Sequence, residues 1–430
     1  MRNSVTILLL LVGVSWSAPA QTVLTLDQCL ALARDRNPRI RGAVNALRMG
    51  EISHDELLTS RLPQVHLEAA PVFAPNSLRF GYDPAISNAG QVSGIVVVQQ
   101  SLYDGGIRGL KSEQFQVDLE RLAGERRRIE RDLAFSVKQA FFEVLGSERE
   151  VRLNEESAVQ LRDYLEVVRR LSNGGTASYT DVLKTQLQLS NAQLLLRKAE
   201  ADFAMAKYSL AELLGGPIDT TFAISGSLEG WSTTTVDSLL MPASPDTSGS
   251  LELSIARMEI QRNLLEVEMT RRESLPVVTL AADAGYVNSG ENLQLPPGDR
   301  ASAVGFSVGL VLDFPLLNWG ATDLRAQQRQ LGVDNLRLEM DQLQRSIAAE
   351  FRKTTLQLLN ALDRLPVTRQ NRISAEENFL LSRSKFLGGG VLSLEVLSAQ
   401  QLLTDSKRSE VQTLTEIRIL AAKLEQLTTR

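Results

Sequence analysis

Histidine is nearly absent from this chain of 430 residues: His54 and His66 are the only two, and cysteine occurs once, at Cys29. Metal centres built from imidazole and thiolate need several such ligands at short spacing. Here one histidine falls on an expected helix and the other on an expected strand, so they make no metal pair. A single cysteine cannot form an internal disulfide, and Cys29, between Gln28 and Leu30, takes an apolar core position, as free thiols often do. Charge of one sign is also lacking. The net charge of −5 leaves no footprint for nucleic acid, and Arg126-Arg127-Arg128 is interleaved with Glu125, Glu130 and Asp132, the pattern of a solvated helix face. No nucleophile elbow or phosphate-cradling loop is present, since Gly388-Gly389-Gly390 follows helix-like sequence rather than a strand. No catalytic residue, cofactor or metal site is therefore expected.

Long apolar runs are missing too. Val5–Val14 is too short to span a bilayer. With Arg2 before it and Ala18-Pro19-Ala20 after it, residues 1–20 read as a signal peptide, leaving an exported chain that starts at Gln21.

Proline is absent from Gly105 to Leu171, and that absence defines the most conspicuous element, one helix of roughly 100 Å at ~1.5 Å per residue. It ends at Asn173-Gly174-Gly175-Thr176-Ala177-Ser178, where glycine allows a sharp reversal. Beyond the turn, Leu189, Ala192, Leu196, Ala199, Phe203, Ala206, Leu210 and Leu213 alternate gaps of three and four, the spacing of a helix-packing seam. The device occurs twice. A shift of 214 positions lays Asn318-Trp319-Gly320 on Asp104-Gly105-Gly106 and Leu394-Glu395-Val396-Leu397 on Thr180-Asp181-Val182-Leu183. Apolar positions between them agree without a gap, as an internal duplication requires. The expected organisation is a first repeat over 21–214, a linker or equatorial segment over 215–250, and a second repeat over 251–430. Within the linker, Thr220–Ile224 reads as a short strand and Val236–Leu240 as a short helix.

Each repeat begins with a helix. In the first, Thr25-Leu26-Asp27 supplies capping-type residues, Asn37-Pro38 interrupts, and Leu62-Pro63 stops the helix. Strands are expected at about 63–74 and 91–103, then at about 276–287 and 302–314. Val65, Leu67, Ala69 and Phe73 alternate with Gln64, His66 and Glu68; Val92, Val96, Val98 and Leu102 alternate with Gln91, Ser93, Gln99 and Ser101. In the second repeat Val304, Phe306, Val308, Leu310, Leu312 and Phe314 face away from Gly305, Ser307, Gly309 and Asp313. An apolar face of this kind packs on a second sheet in a soluble sandwich, or meets lipid in an outer-membrane barrel. Strands of about 10–11 residues suit a tilted membrane crossing, and Tyr103, Phe314, Trp319, Phe73 and Tyr286 stand near strand ends, where interfacial aromatics belong. The chain offers no second sheet. Four strands cannot close a barrel, so copies must share one: two copies give a filled barrel of eight strands, three a hollow one of twelve, which suits a tube.

In this order and register, Leu26–Pro38, Leu62-Pro63, Leu275-Pro276 and the tip segments Gly174–Leu183 and Gly389–Leu397 resemble the TolC-type outer-membrane efflux channels over essentially the whole mature chain. The resemblance implies an α+β membrane protein: long helical hairpins form a periplasmic helical barrel, and four strands per chain join a transmembrane β-barrel of twelve in a homotrimer. It further implies a periplasmic adaptor, an inner-membrane pump, outer-membrane lipid around the barrel, and passage of substrates to the cell exterior. The adaptor would dock on the tips, Gly174, Gly175, Thr176, Ala177 and Ser178 with Gly389, Gly390, Val391 and Leu392. Asp181 and Glu395 match positions that narrow the pore, and Phe386 could pinch it where a polar lock is missing. Cargo and pump class stay open. The rival reading is a periplasmic coiled-coil adaptor or scaffold without a pore of its own.

Overall fold

A computed structural model describes residues 23–73, 90–216, 221–229, 249–289, 302–388 and 390–428. The expected signal peptide, the helix at Val236–Leu240 and Gly389 lie outside them. In chain order the elements are β1 (Val23–Leu24), α1 (Leu26–Arg36), α2 (Pro38–Thr59), β2 (Gln64–Phe73), β3 (Gly90–Asp104), α3 (Ile107–Asn173) and α4 (Tyr179–Leu214). After them come β4 (Ala223–Ile224), α5 (Leu251–Arg272), β5 (Val277–Ser289), β6 (Ser302–Asp313), α6 (Ala321–Leu387) and α7 (Ser393–Thr428). The two long helices each have 67 residues and their partners each 36. At both strand-to-helix junctions the chain turns through two residues with positive φ: Gly105 (+69°) and Gly106 (+79°), then Trp319 (+55°) and Gly320 (+79°). The Oδ1 of Asp104 and of Asn318 accepts the N–H two residues on at 3.2 Å, so the duplication extends to individual hydrogen bonds.

Two compact units share these elements, one holding Arg39–Ile129 with Ser244–Glu350, the other the chain up to Pro38 with Glu130–Ala243 and Phe351–Thr428. The first contains a four-stranded antiparallel sheet in the order β2-β3-β5-β6. Its register gathers apolar residues onto one face. Leu67, Val96, Ala284 and Phe306 stand side by side across the four strands, as do Val65, Val98, Ala282 and Val308. The opposite face carries Glu68, Gln99, Asp283 and Ser307, and the Ser307 hydroxyl donates to Asp283 across the β5–β6 pair. Nothing covers the apolar face: Phe306 is 83% exposed, and Val65, Leu67, Leu310 and Leu312 are also bare. The alternation expected for β3 fails in one place. A bulge between Ser101 and Tyr103 leaves Leu102 without a partner and sets Tyr103, not Leu102, opposite Val278. In the same unit Arg262 of α5 lies between Asp118 of α3 and its own helix neighbours Glu259 and Glu266, while Arg329 of α6 reaches Glu266 at 2.6 Å. Half-exposed pairs of this kind contribute up to about 1 kcal/mol each; they align three helices more than they stabilise them.

In the second unit α3 with α4, and α6 with α7, form the helical hairpins. Phe351, Leu358 and Ala361 of α6 close on Ile417 and Leu424 of α7, all at most 4% exposed. Each of the larger ones, Phe351, Leu358, Ile417 and Leu424, contributes roughly 1.5–3 kcal/mol by leaving water. α6 continues through Pro366, which is exposed. The ring removes one hydrogen bond at a cost of about 3 kcal/mol, which the packing on either side offsets. The linker is laid down by two contacts. β4 pairs in parallel with β1, and the Arg418 guanidinium donates to the carbonyls of Ser227, Leu228 and Glu229.

None of the described helices is long and apolar enough to cross a membrane. The sheet carries a continuous exposed apolar face, and among its glycines the tightest approach is at Gly285, where an added Cβ would run into the Gly94 carbonyl oxygen; at Gly305, its cross-strand partner, a Cβ meets nothing within 4 Å. Gly285→Val should therefore cost roughly 1–3 kcal/mol of sheet stability and sharply lower the yield of folded protein, whereas Gly305→Val should leave it near that of the parent. Equal losses from the two variants would contradict this register.

Candidate functional site

The expected docking and gating residues cluster at the ends of the two hairpins, all in the helical unit. α3 stops because Gly175, at φ +78°, takes the left-handed conformation. The N–H of Thr176 then bonds back to the Leu171 carbonyl at 2.9 Å and that of Gly175 to Ser172 at 3.0 Å, the paired bonds that satisfy the last carbonyls of a helix. Three residues later Ser178 caps α4, accepting the N–H of Thr180 at 3.1 Å, while the Asp181 carboxylate accepts the N–H of Ser178 at 3.2 Å. The second tip repeats the stop: the Gly390 N–H bonds to the Lys385 carbonyl at 2.8 Å. Gly174, Gly175, Thr176, Ser178, Gly390 and Leu392 are exposed, and Ala177 and Val391 are half-buried.

Asp181 and Glu395 occupy equivalent places, the third residue of α4 and of α7, yet they differ in what they do. Asp181 completes a capping box with Ser178. At the second tip Leu392 stands where Ser178 stood, and Glu395 is exposed, its backbone N–H donating to Leu392 at 3.0 Å and its carbonyl accepting from the Ser398 hydroxyl at 3.0 Å. Its charge lies at a helix N-terminus, where the dipole favours it, and its carboxylate is left for groups outside the helix. Phe386 faces the other way. It is 8% exposed in a core of Leu161, Tyr164, Leu165, Val168, Val396 and Leu397, its ring 5.4 Å from that of Tyr164. Within one chain this ring is committed to packing, which its place just before the turn did not reveal.

Sequence reasoning also missed Tyr164 and Ser393. The phenol donates to the Ser393 hydroxyl at 3.1 Å, a buried bond that ties the α3 hairpin to the α7 start. Tyr164 shares the apolar stripe of Leu161, Leu165 and Val168, so its spacing marks it as core but not as a cross-hairpin link. Burial is the main cause that pushes its pKa up to about 12.

A phenol whose folded pKa is raised holds its proton longer in the folded chain than in the unfolded one. The contribution to stability is complete below pH 10 and is lost as pH climbs from 10 towards 12. In a spectrophotometric titration of the folded protein, one of the six tyrosines should ionise late, near pH 12, and Tyr164→Phe should remove that phase. Loss of no late phase in this variant would refute the buried link.

With this geometry in place, the chain can be set beside known proteins. A family model described as outer membrane efflux protein matches residues 29–216 and 248–430. The proteases secretion protein PrtF of Dickeya chrysanthemi is 23% identical over 302 residues, which span 67% of this chain and 61% of that protein. This chain therefore covers under two thirds of that relative's length. Among solved structures, the outer membrane protein VceC of Vibrio cholerae superposes with a TM-score of 0.75 at 16% identity, over 94% of this chain and 96% of its own. The CmeC outer membrane channel of Campylobacter jejuni gives 0.77 at 11% identity, over 97% and 90%. These likenesses establish the fold expected from the sequence, that of the TolC-type channels. The family match covers most of the chain in two blocks, one for each repeat, and on it the conclusion rests: this chain belongs to the outer membrane efflux protein family and resides in the bacterial outer membrane.

Proposed function

We propose that this protein is an outer-membrane exit duct, a homotrimer that passes substrates from an inner-membrane pump and a periplasmic adaptor to the cell exterior, in tripartite efflux or type I secretion. The observation that carries this reading is the sheet: one face is apolar and bare, the other polar, and the outer edges of β2 and β6 have no partner strand among the described residues. Such a sheet suits lipid outside and water inside, closed by further copies. A coiled-coil adaptor, the rival reading, has no use for it. The two halves, 21–214 and 251–430, joined by 215–250, are read as duplicated repeats, each supplying two strands and one hairpin.

At the tips, Glu395 is proposed as the pore-facing acid, because its carboxylate is uncommitted, and Asp181 as a residue that shapes the first turn it caps. Phe386 braces the tip from behind. Three Glu395 carboxylates around a narrow passage would favour cations. The side chains of the turns at Gly174–Ser178 and Gly390–Leu392, exposed apart from half-buried Ala177 and Val391, leave room for an adaptor hairpin to approach closely; Gly389 belongs to the same proposed docking tip.

Planar-bilayer recordings test the duct. The purified protein should conduct, and Glu395→Gln should lower cation preference and weaken block by multivalent cations several-fold. Unchanged selectivity and block would remove Glu395 from the pore, and an absence of conductance would defeat the duct itself. Docking is tested at Gly174, where an added Cβ would meet only ordinary contacts at 3.6 Å. Gly174→Trp should abolish export while leaving folded protein in the membrane at parental amounts. Normal export by this variant would clear the tips of an adaptor.

A further inference from the structure

The halves of the chain repeat one another, so a junction made inside the chain is a template for one made outside it. Inside, β3 meets β5, with Val96 opposite Ala284, Val97 opposite Asp283, Val98 opposite Ala282 and Gln99 opposite Ala281. β2 and β5 correspond: each follows a Leu-Pro pair, and Val65 opposite Val98 has its counterpart in Val278 opposite Leu312. β3 and β6 correspond in the same way. Exchanging each strand of the inner junction for its counterpart gives a junction between β6 and β2, which lie at opposite edges of one chain's sheet. A second copy must supply the partner.

We propose that β6 of one copy pairs antiparallel with β2 of the next in a single register: Leu310 opposite Pro71, Val311 opposite Ala70, Leu312 opposite Ala69 and Asp313 opposite Glu68. The proposal rests on the shared-barrel reading above and adds to it the pairing of the seam. Face parity supports it. Leu310, Leu312 and Phe314 join Pro71, Ala69 and Leu67 on the apolar side, whereas a slip of one residue would turn one strand inside out. The strand-to-helix junction supports it independently. Inside the chain Gly105 lies against the end of α5, where a Cβ would be 3.0 Å from the Leu275 Cβ. The counterparts at the seam are Trp319 and Leu62, 86% and 62% exposed in one chain. Trp319 is also the single non-glycine residue with positive φ among the described residues, a backbone state that costs of order 1–3 kcal/mol. Each of these two apolar side chains is bare alone and covered by the other at the seam.

The seam differs from its template in charge. Gln99 opposite Ala281 becomes Asp313 opposite Glu68, two carboxylates on the polar face, with the His66 ring 3.1 Å from Glu68. Like charges directly opposite loosen a strand pair, so this end of the seam is held less tightly than the junctions within a chain.

Cysteine pairs in the full-length Cys29→Ala protein, oxidised in native membranes, read the register directly. Val311→Cys with Ala70→Cys should link copies covalently up to the trimer. Val311→Cys with Glu68→Cys, and Val311→Cys with Val72→Cys, each slipped by two residues, should link at least about tenfold less, because disulfide geometry tolerates only short Cβ separations. Strongest linking by a slipped pair would overturn the register. No linking by any pair in a protein that is still trimeric by mass would overturn the β6–β2 seam, while a monomeric mass would instead defeat the shared-barrel reading. The charge claim has its own readout. Asp313→Lys should raise the temperature at which the oligomer dissociates in detergent, and adding Glu68→Lys should return it to the parental value. A dissociation temperature indifferent to both would overturn the contact between these residues.

Discussion

Everything in this structure answers to one requirement, that backbone groups be hydrogen-bonded where no water can reach them. Half the residues of an edge strand direct their N–H and C=O groups away from their neighbour, and β2 and β6 have ten and twelve residues. In hydrocarbon each unpaired group costs several kcal/mol, so an isolated sheet would carry a penalty of tens of kcal/mol. The apolar face adds to the demand, since it gains from leaving water and loses nothing by meeting lipid. Under the proposed function, further copies of the chain would satisfy both requirements at once, because β2 and β6 alternate their faces alike.

The helices meet the same requirement by a local route. A helix satisfies its own backbone except at its ends, and this chain closes those ends with care. Gly175 and the Leu171–Thr176 bond finish α3, Ser178 and Asp181 start α4, and Thr25 with Gln28 starts α1. The tips are therefore rigid turns, and the buried bond from Tyr164 to Ser393 holds the two hairpins in one body at that end of the helical unit. The tips proposed as a docking surface thus rest on backbone geometry and on a packed core behind them, with small exposed residues in front.

Much of this was legible in the sequence because duplication and period are long-range signals. The shift of 214 residues aligned the two long helices, and both appear with identical lengths. The β5–β6 pairing keeps Val304, Phe306, Val308, Leu310 and Leu312 on one face, as the alternation had them, with Val311 the apolar exception on the other. The failures are local. The bulge at Leu102 inserts one residue and reverses the alternation for a stretch too short to show as a pattern. Phe386 and Tyr164 could not be paired from sequence because they come from different hairpins, and the core that joins them is tertiary. Asp181 looked like a gate residue and is also a capping residue; only the hydrogen bond to Ser178 separates it from its equivalent, Glu395.

The central claim is that one chain cannot complete its own sheet. The mass of the detergent-solubilised particle, measured with its bound detergent accounted for, tests it most directly. Three copies of the chain per particle are predicted, together with loss of folded sheet whenever the particle is forced apart. A folded single chain that enters a bilayer and conducts ions would contradict the account.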